Sequence, residues 1–276
     1  MPVLSRPVRP WCSVILACIT CIVGCSRPAS QRAAVASDSV IPAGPYGDAV
    51  RRGRAVLTAT RDSLPGHVGN KLRCTSCHLD EGRRETNSWV GVFARYPQYR
   101  ARSGMVETIE YRVNDCFRRS LNGTALDPAG ADMRDVVAYL AFLSRGVPVE
   151  PPSPGASTRL QKWAAFTADT VDGARVFAAT CAKCHGAAGD GTAVAPPVWG
   201  PESYNVGAGM TRVRTAAEFI SRNMPFDAPG TLSDSQAFNV AAYVNAHHRP
   251  DFPGKENDWP KGDPPPDVAY PTRAHH

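Results

Sequence analysis

Two short motifs in this sequence carry the residue types needed to attach a metal-containing ring covalently. Cys74-Thr75-Ser76-Cys77-His78 and Cys181-Ala182-Lys183-Cys184-His185 both fit the pattern C-x-x-C-H. Two thiols at this spacing can form thioethers to the two vinyl groups of one haem, and the histidine that follows then lies beneath the iron as a ligand. A zinc site or a redox-active C-x-x-C pair is the alternative for a single copy. Two copies favour two covalently bound haem c groups, with His78 and His185 as proximal ligands.

Two methionines after the second motif could provide the other axial ligand of its iron. Met224, in the tripeptide N-M-P, follows His185 by 39 residues and resembles the distal methionine loop of class I cytochromes c. Met210, in the sequence GAGM, lies 14 residues closer and remains the alternative. A methionine thioether favours ferrous iron and raises the reduction potential. We therefore predict that the second haem, ligated by His185 and Met224, is the better electron acceptor.

Cys116 occupies the corresponding position after the first motif. It follows His78 by 38 residues, almost the offset that separates Met224 from His185. Its place in the layout predicts that Cys116 replaces the distal methionine, although cysteine is also common as a buried free thiol. A thiolate ligand would stabilise ferric iron and lower the potential of the first haem. The other candidates in this half are Met105, Met133 and His67, of which we expect Met133 in the core of the closing helix and His67 in a solvated loop.

Three arginines close to Cys116 in the sequence are expected to influence its thiol. Arg112, Arg118 and Arg119 lie within four residues of it. Positive charge near a cysteine lowers the pKa of the thiol and favours the thiolate, which is the form that binds ferric iron. The sequence therefore predicts an electropositive environment around Cys116.

Helical patterns surround both motifs and predict an internal duplication. In each half, one helical segment precedes the C-x-x-C-H motif and another, with apolar residues near helical spacing, closes the unit. Alternating strand patterns are almost absent. We predict an all-α protein made of two class I cytochrome c-like domains, each with one covalently bound haem. The four helical segments are residues 48–60, 131–146, 171–180 and 234–249.

The composition along the chain predicts where these domains begin and end. Four prolines within twelve residues, in GVPVEPPSPGAS, indicate a linker because proline interrupts both helices and strand pairing. The last residues are again rich in proline and indicate an irregular tail over the surface. The predicted ranges are a lipoprotein signal peptide at 1–24, a flexible tether at 25–45, domain 1 at 46–147, the linker at 148–160, domain 2 at 161–250 and the tail at 251–276.

The first residues indicate export. Arg6 and Arg9 precede a short apolar run, and the sequence that ends at Cys25 resembles the lipobox of bacterial lipoproteins. We expect a periplasmic protein anchored to the outer membrane through lipidated Cys25, with an ordinary cleavage site as the alternative. Of the nine cysteines, five lie after Cys25. This odd number argues against a complete disulfide framework.

The net charge of +6 is concentrated in the first half of the chain. Residues 46–147 contain 16 Lys and Arg against 11 Asp and Glu, whereas residues 161–249 contain seven of each. A basic domain attracts anions. Because an exported protein rarely meets nucleic acid, we predict small anions as ligands and no nucleic acid partner.

The segment from Asn70 to Gly123, together with GAGM, the N-M-P loop and the AAYVN helix, resembles the dihaem thiosulfate dehydrogenases. The resemblance covers roughly residues 46 to 250. It implies the coupling of two thiosulfate ions to tetrathionate, or the reverse reduction, with electrons passed to an acceptor cytochrome or another redox protein. Fixed guanidinium groups suit this chemistry, because bringing two dianions together in a poorly solvated pocket costs on the order of several kcal/mol.

The same resemblance implies roles for individual residues. The active-site haem is ligated by His78 and Cys116, and the substrate anion is held by Arg102, Arg112 and Ser120. Some family members have a competing lysine before the distal methionine, where this chain has Asn223, so we expect no ligand switch. Two alternatives remain: a non-catalytic dihaem electron carrier, and an enzyme of the same design that acts on another sulfur oxyanion.

Overall fold

The structure, a computed structural model, describes residues 41–147 and 160–273. The predicted signal peptide, the lipobox cysteine Cys25, most of the tether and linker residues 148–159 lie outside the described residues. Among the helices within the described ranges, none combines the length and the apolar character needed to cross a bilayer.

The described chain is largely helical, which confirms the predicted all-α class. The helical segments predicted around both motifs are present, with ends that differ by a few residues from the predicted bounds. The one regular sheet in the described ranges is a two-stranded antiparallel hairpin. The helices are α1 (Pro45–Thr58), α2 (Thr60–Ser63), α3 (Ile109–Arg119), α4 (Ala131–Leu143), α5 (Thr170–Val176), α6 (Ala182–His185), α7 (Val213–Asn223) and α8 (Asp234–Asn245), and the strands are β1 (Gln98–Arg100) and β2 (Met105–Glu107).

In the first unit, α1 packs closely against α4. Proline at the first position of α1 fits the start of a helix, where its missing N–H is not needed. Gly53 allows the close approach, because a Cβ at this position would lie 1.9 Å from the carbonyl oxygen of Asp135 on α4. The buried face of α4 includes Met133 and Tyr139, both fully buried. Met133 is thus a core residue, as predicted.

The second unit repeats this arrangement with α5 and α8. Gly173 on α5 lies so close to α8 that a Cβ would approach the carbonyl oxygen of Asn239 to 2.1 Å. Ser233 and Gln236 form a reciprocal capping box at the start of α8, which fixes where that helix begins. The chain continues from α5 through one π-helical turn, Phe177–Cys181, directly into α6. The second C-x-x-C-H motif therefore lies on a continuous helical segment, as predicted.

The C-terminal tail is irregular, as predicted, but it is firmly packed against the first unit. Trp259 and Tyr270 are only 3% and 7% exposed. The backbone N–H of Trp259 donates to the carbonyl oxygen of Arg102 at 2.7 Å. The tail is therefore a structural part of the region that contains the predicted anion-binding residues.

Buried asparagines join the two helical units. The side-chain amide of Asn70 donates to the carbonyl oxygens of Ser120 at 2.9 Å and Ser203 at 3.0 Å. The amide of Asn205 donates to the carbonyl oxygen of Arg118 at 2.9 Å. These bonds satisfy buried backbone groups at the junction, and they fix the segment after Ser203 against the end of α3.

Candidate haem and anion site

The first C-x-x-C-H motif and Cys116 line one cavity. Cys74, Cys77 and His78 line it together with Cys116 on α3. The thiols of all the described cysteines are free. The rest of the wall is mainly apolar and includes Leu57, Leu72, Trp89, Val113, Phe117, Leu121 and Leu140.

The other three ligand candidates of the first unit do not line this cavity. Met105 is 46% exposed on β2, and Met133 is in the core. His67 faces Thr124, with 3.3 Å between its Nδ1 atom and the carbonyl oxygen. Cys116 is therefore the candidate that the fold brings to the cavity of His78.

Both motif histidines are oriented by a backbone carbonyl. His78 Nδ1 donates to the carbonyl oxygen of Asn87 at 2.5 Å, and His185 Nδ1 donates to that of Pro196 at 2.7 Å. Because a carbonyl only accepts, the proton is on Nδ1 and the lone pair of Nε2 is available to a metal. Burial lowers the pKa of His78 to about 4, so its ring is neutral at pH 7.

Arg112, Cys116 and Ser120 are spaced four residues apart along α3 and its C-cap. This spacing places side chains on one face of a helix. Arg112 Nη1 donates to the Cys116 sulfur at 3.0 Å. Cys116 and Ser120 both line the first cavity. The fold thus brings together three of the five residues that the resemblance assigned to the active site, and a fourth, His78, lines the same cavity.

Of the three arginines expected to act on the Cys116 thiol, one contacts it. Arg118 points outward and is exposed. Arg119 is 8% exposed, and its guanidinium binds both carboxylate oxygens of Asp258 in the tail, at 2.7 and 2.8 Å. Asp115 on α3 pairs with the same guanidinium. Arg119 therefore anchors the tail, and the contact with the thiol is made by Arg112.

Arg102 lies in the turn between β1 and β2, next to the tail and to the second unit. Its Nη1 donates to the carbonyl oxygen of Gly207 at 2.9 Å, and its guanidinium lies 4.9 Å from the Trp259 ring centre. Burial, with the nearby charges of Arg212 and Arg119, lowers the pKa of Arg102 to about 10. This is a largely buried cation whose only ion pair among the described residues is a long one, 3.9 Å from its Nε to Asp258 Oδ2, so its environment still favours an added anion.

The second motif lines a separate, strongly apolar cavity. Cys181 and His185 line it, and so do both methionine candidates, Met224 and Met210. Met224 directly follows the end of α7, in a loop, as predicted. Asn223 points away, into the end of α7, because its amide donates to the carbonyl oxygen of Phe219 at 2.9 Å.

A buried arginine beside the second cavity has one bonded nitrogen, Nη2, which donates to the carbonyl oxygen of Val244 and to Asn245 Oδ1, and two nitrogens without partners in the described ranges. Arg249 is 5% exposed, and its Nε and Nη1 atoms have no hydrogen-bond partner among the described residues. Its guanidinium lies 3.9 Å from the ring centre of Tyr204, which lines the cavity. A buried cation without a counter-charge is costly, so these nitrogens suit an anionic group such as a haem propionate. The residues around both cavities therefore fit a covalently bound haem c.

The two cavities share part of their walls. Leu72 and Cys77 line both of them. Groups bound in the two cavities would be separated by little more than these side chains. The arrangement suits electron transfer from one site to the other.

Two family models match the chain, one for each unit. Residues 67–149 match the model described as SoxA/TsdA, cytochrome c domain. Residues 168–244 match the model described as Cytochrome C oxidase, cbb3-type, subunit III. The protein therefore contains two cytochrome c domains, which carry the two covalently bound haems that the C-x-x-C-H motifs predict.

Two relatives that are similar over most of the chain identify its family more closely than the two domain models do. The thiosulfate dehydrogenase of Psychrobacter arcticus is 43% identical over 238 residues, which cover 84% of this chain and 72% of the relative. That of Allochromatium vinosum is 40% identical over 257 residues, covering 88% of this chain and 94% of the relative. This chain belongs to the thiosulfate dehydrogenase family.

A solved structure from the same family shows a similar fold. The thiosulfate dehydrogenase TsdBA of Marichromatium purpuratum, in its "as isolated" form, is 35% identical, with a TM-score of 0.69. The match covers 83% of this chain and 53% of that longer one. This similar fold agrees with the two-domain arrangement of our thiosulfate dehydrogenase family member.

Several residues in or near the two cavities were missed by reasoning from the sequence. The tail residue Asp258 binds Arg119, and Arg249 lies beside the second cavity, although neither is near a motif in the chain. Arg212 follows GAGM by two residues, so its proximity to a singled-out motif was an available signal. The spacing of Arg112, Cys116 and Ser120 was another, because it matches one face of a helix.

Proposed function

We propose that this protein oxidises two thiosulfate ions to one tetrathionate and releases two electrons, with the reverse reduction also accessible. The contact between Arg112 and Cys116 in the first cavity carries the proposal. An electron carrier needs no arginine next to a cysteine that ligates the iron. An enzyme whose substrates are sulfur-containing dianions, in contrast, needs positive charges where the reaction takes place.

The residues of the first site would hold the substrate and exclude water. Arg112 places positive charge beside the Cys116 sulfur, and the Ser120 hydroxyl can donate to a sulfonate oxygen. Arg102 adds a buried cation nearby. We assign His78 and Cys116 as the ligands of the first haem, which when bound accepts electrons one at a time. Apolar side chains such as Val113 and Phe117 limit solvation, which strengthens the attraction between the guanidiniums and the anion.

The second domain would receive the electrons. We assign His185 and Met224 as the ligands of its haem, with Met210 as the alternative. The wall shared through Leu72 and Cys77 supports a short path between the two sites. From the second site, electrons would pass to an acceptor cytochrome or another redox protein.

The proposed location is the periplasm. Export follows from the signal-like first residues, and the sequence that ends at Cys25 supports a lipid anchor in the outer membrane. Labelling with a radioactive fatty acid would test the anchor, because Cys25→Ser should prevent incorporation.

The reaction can be tested with the purified dihaem protein. Addition of thiosulfate should reduce ferricyanide with one tetrathionate formed for every two electrons, and a reduced donor should drive tetrathionate consumption. Absence of both reactions would refute the proposal. Parallel assays with sulfite and organic thiols would show whether another sulfur compound is the preferred substrate.

Electron paramagnetic resonance separates an enzyme of this type from a simple carrier. A low-spin ferric haem with a thiolate ligand gives a compressed range of g values. We expect one such signal and one signal typical of histidine and methionine ligation. Two signals of the latter kind would favour a carrier.

A further inference from the structure

The GAGM segment of the second domain forms a wall of the region around α3. The carbonyl oxygen of Gly207 accepts hydrogen bonds from Arg102 at 2.9 Å and from Arg119 at 3.4 Å. Gly207 has no room for a side chain, because a Cβ there would lie 2.8 Å from the ring of Phe252 and 3.0 Å from Arg119 Nη1. Asn205 fixes this segment in place through its bond to the carbonyl oxygen of Arg118. The loop therefore belongs to the active-site region although its sequence belongs to the second domain.

Arg212 ends this loop, at the N-cap of α7. Its Nε makes only a long hydrogen bond, 3.4 Å, to the carbonyl oxygen of Gly209. Within the part of the chain that the structure describes, no carboxylate oxygen lies within 4.0 Å of its guanidinium. The side chain is half-buried and lines a cleft between the two units together with Asn87, whose carbonyl orients His78. Arg212 is thus a cation with unused donors next to the first site and open to solvent.

Other arginines lie close enough to Arg212 to affect its charge. Burial lowers the pKa of Arg212, Asp267 and Tyr270 partly oppose this effect, and the charges of Arg100 and Arg112 lower the pKa further. Arg212 in turn contributes to the lowered pKa of Arg102. Cations that are held close together at the cost of mutual repulsion indicate a place where an anion is expected.

The nearby carboxylates are committed to other partners. Asp258 and Asp115 bind Arg119. Asp267 in the tail partly offsets the charge of Arg212, but its Oδ2 atom accepts from the backbone N–H of Arg214 at 2.8 Å. Glu218 and Glu85 line the same cleft, but Glu218 pairs with Arg222 and Glu85 also has another partner. Among the described residues none of these acids forms an ion pair with Arg212, so its guanidinium remains available to a ligand.

We propose that Arg212 is a substrate-positioning residue which the second domain contributes to the first haem's site, where it binds a sulfonate group of thiosulfate together with Arg102 and Arg112. This inference rests on the proposed function and extends it. It explains why the GAGM loop is fixed against α3, and it means that the second domain helps to bind substrate as well as to accept electrons.

The test compares Arg212→Gln, Arg212→Lys and the control Arg214→Gln in the dihaem protein. Arg214 lies two residues away on α7, and its substitution removes the same charge, but among the described residues no hydrogen bond or ion pair joins its side chain to α3. Loss of a charge-assisted hydrogen bond should raise the KM for thiosulfate about tenfold or more in Arg212→Gln. The kcat at saturating thiosulfate should fall much less, Arg212→Lys should recover part of the affinity, and Arg214→Gln should match the wild type.

Thiosulfate binding is also measured without turnover, from the change that it causes in the absorption spectrum of the oxidised protein. A weaker apparent Kd in Arg212→Gln, with unchanged midpoint potentials of both haems, supports the inference even if the wild type fails to form tetrathionate. An unchanged Kd and KM would overturn it, as would an equal loss in Arg214→Gln or the absence of thiosulfate binding to the wild type. A shifted haem potential with unchanged thiosulfate affinity would also overturn it, because the guanidinium would then serve a haem carboxylate.

Discussion

At the scale of single residues, the first site depends on one turn of α3. Arg112 and Cys116 are four residues apart, so the helix itself holds the guanidinium at 3.0 Å from the sulfur. The charge of a Cys116 thiolate raises the pKa of Arg112, which keeps the arginine protonated. The pair therefore combines a potential iron ligand with a fixed positive charge, and it needs no long-range contact to form.

Cys116→Met should separate haem attachment from catalysis. Both haems should remain bound, because their attachment depends on the two C-x-x-C-H motifs. Turnover should fall to a few per cent or less, since a thioether cannot provide the thiolate and raises the potential of the first haem. The haem content from pyridine haemochrome spectra and the rate of ferricyanide reduction measure the two effects. Near-normal turnover would contradict the role that we assign to Cys116.

At the scale of secondary-structure elements, the loop after α7 carries Met224, the residue that we propose as a ligand of the second haem. Both Met224 and Met210 line the cavity, but Met224 directly follows a helix whose end is fixed by the buried amide of Asn223. This anchoring gives Met224 a defined position. The Nδ2 of Asn223 is bonded to the helix, whereas its buried Oδ1 has no hydrogen-bond partner among the described residues.

Met224→Leu and Met210→Leu form a matched pair for testing this ligation. Loss of the thioether should lower the midpoint potential of the second haem by roughly 100 mV or more in Met224→Leu. Met210→Leu keeps the apolar volume and should leave the potential nearly unchanged. A spectroscopic redox titration measures both. If the large shift followed Met210→Leu instead, Met210 would be the ligand.

The tail is the second element that positions the active site. Asp258 is 6% exposed, binds Arg119 through both oxygens and accepts from the Tyr270 hydroxyl at 2.6 Å. Arg119 keeps Asp115 as a second partner. Removing the charge of Asp258 would thus weaken, without eliminating, the anchoring of this buried guanidinium.

Asp258→Asn should lower the free energy of unfolding by about 2 kcal/mol, because a buried charge-assisted pair is lost. Asp263→Asn is the control, since it removes the same charge from an exposed position of the tail. Urea denaturation of the two variants measures the difference. Equal stability of both would show that the buried pair does not hold the tail.

At the scale of the whole molecule, local patterns predicted the elements but not how they meet. The C-x-x-C-H motifs and the helical spacing around them identify two similar units, because haem attachment and helix amphipathicity depend on residues close in the chain. The contacts of Arg119 with Asp258, and of Arg102 with Gly207, join positions more than 100 residues apart. No periodicity in either segment encodes such a pairing, so the tail was predicted only as an irregular surface segment.

The junction between the domains predicts cooperative unfolding. Asn70 and Asn205 are 2% and 1% exposed and bond across it, so opening the junction would leave their buried partners unsatisfied. We expect the dihaem protein to unfold in one thermal transition, seen at the same temperature in haem absorbance and in circular dichroism.

Asn205→Ala should lower the midpoint of this transition by roughly 4 °C, since it removes the bonds to the carbonyl oxygen of Arg118 and to Asn122 Oδ1. Asn257→Ala is the matched control, because that exposed amide makes only a local bond to Gly254. Two separate transitions in the wild type, or equal midpoints for the two variants, would show that the domains unfold independently. The expected result is a single transition in the wild type, which Asn205→Ala either shifts to a lower midpoint or splits into two. This result would mean that the substrate site and the electron-accepting domain are stabilised as one unit, as a loop shared between them requires.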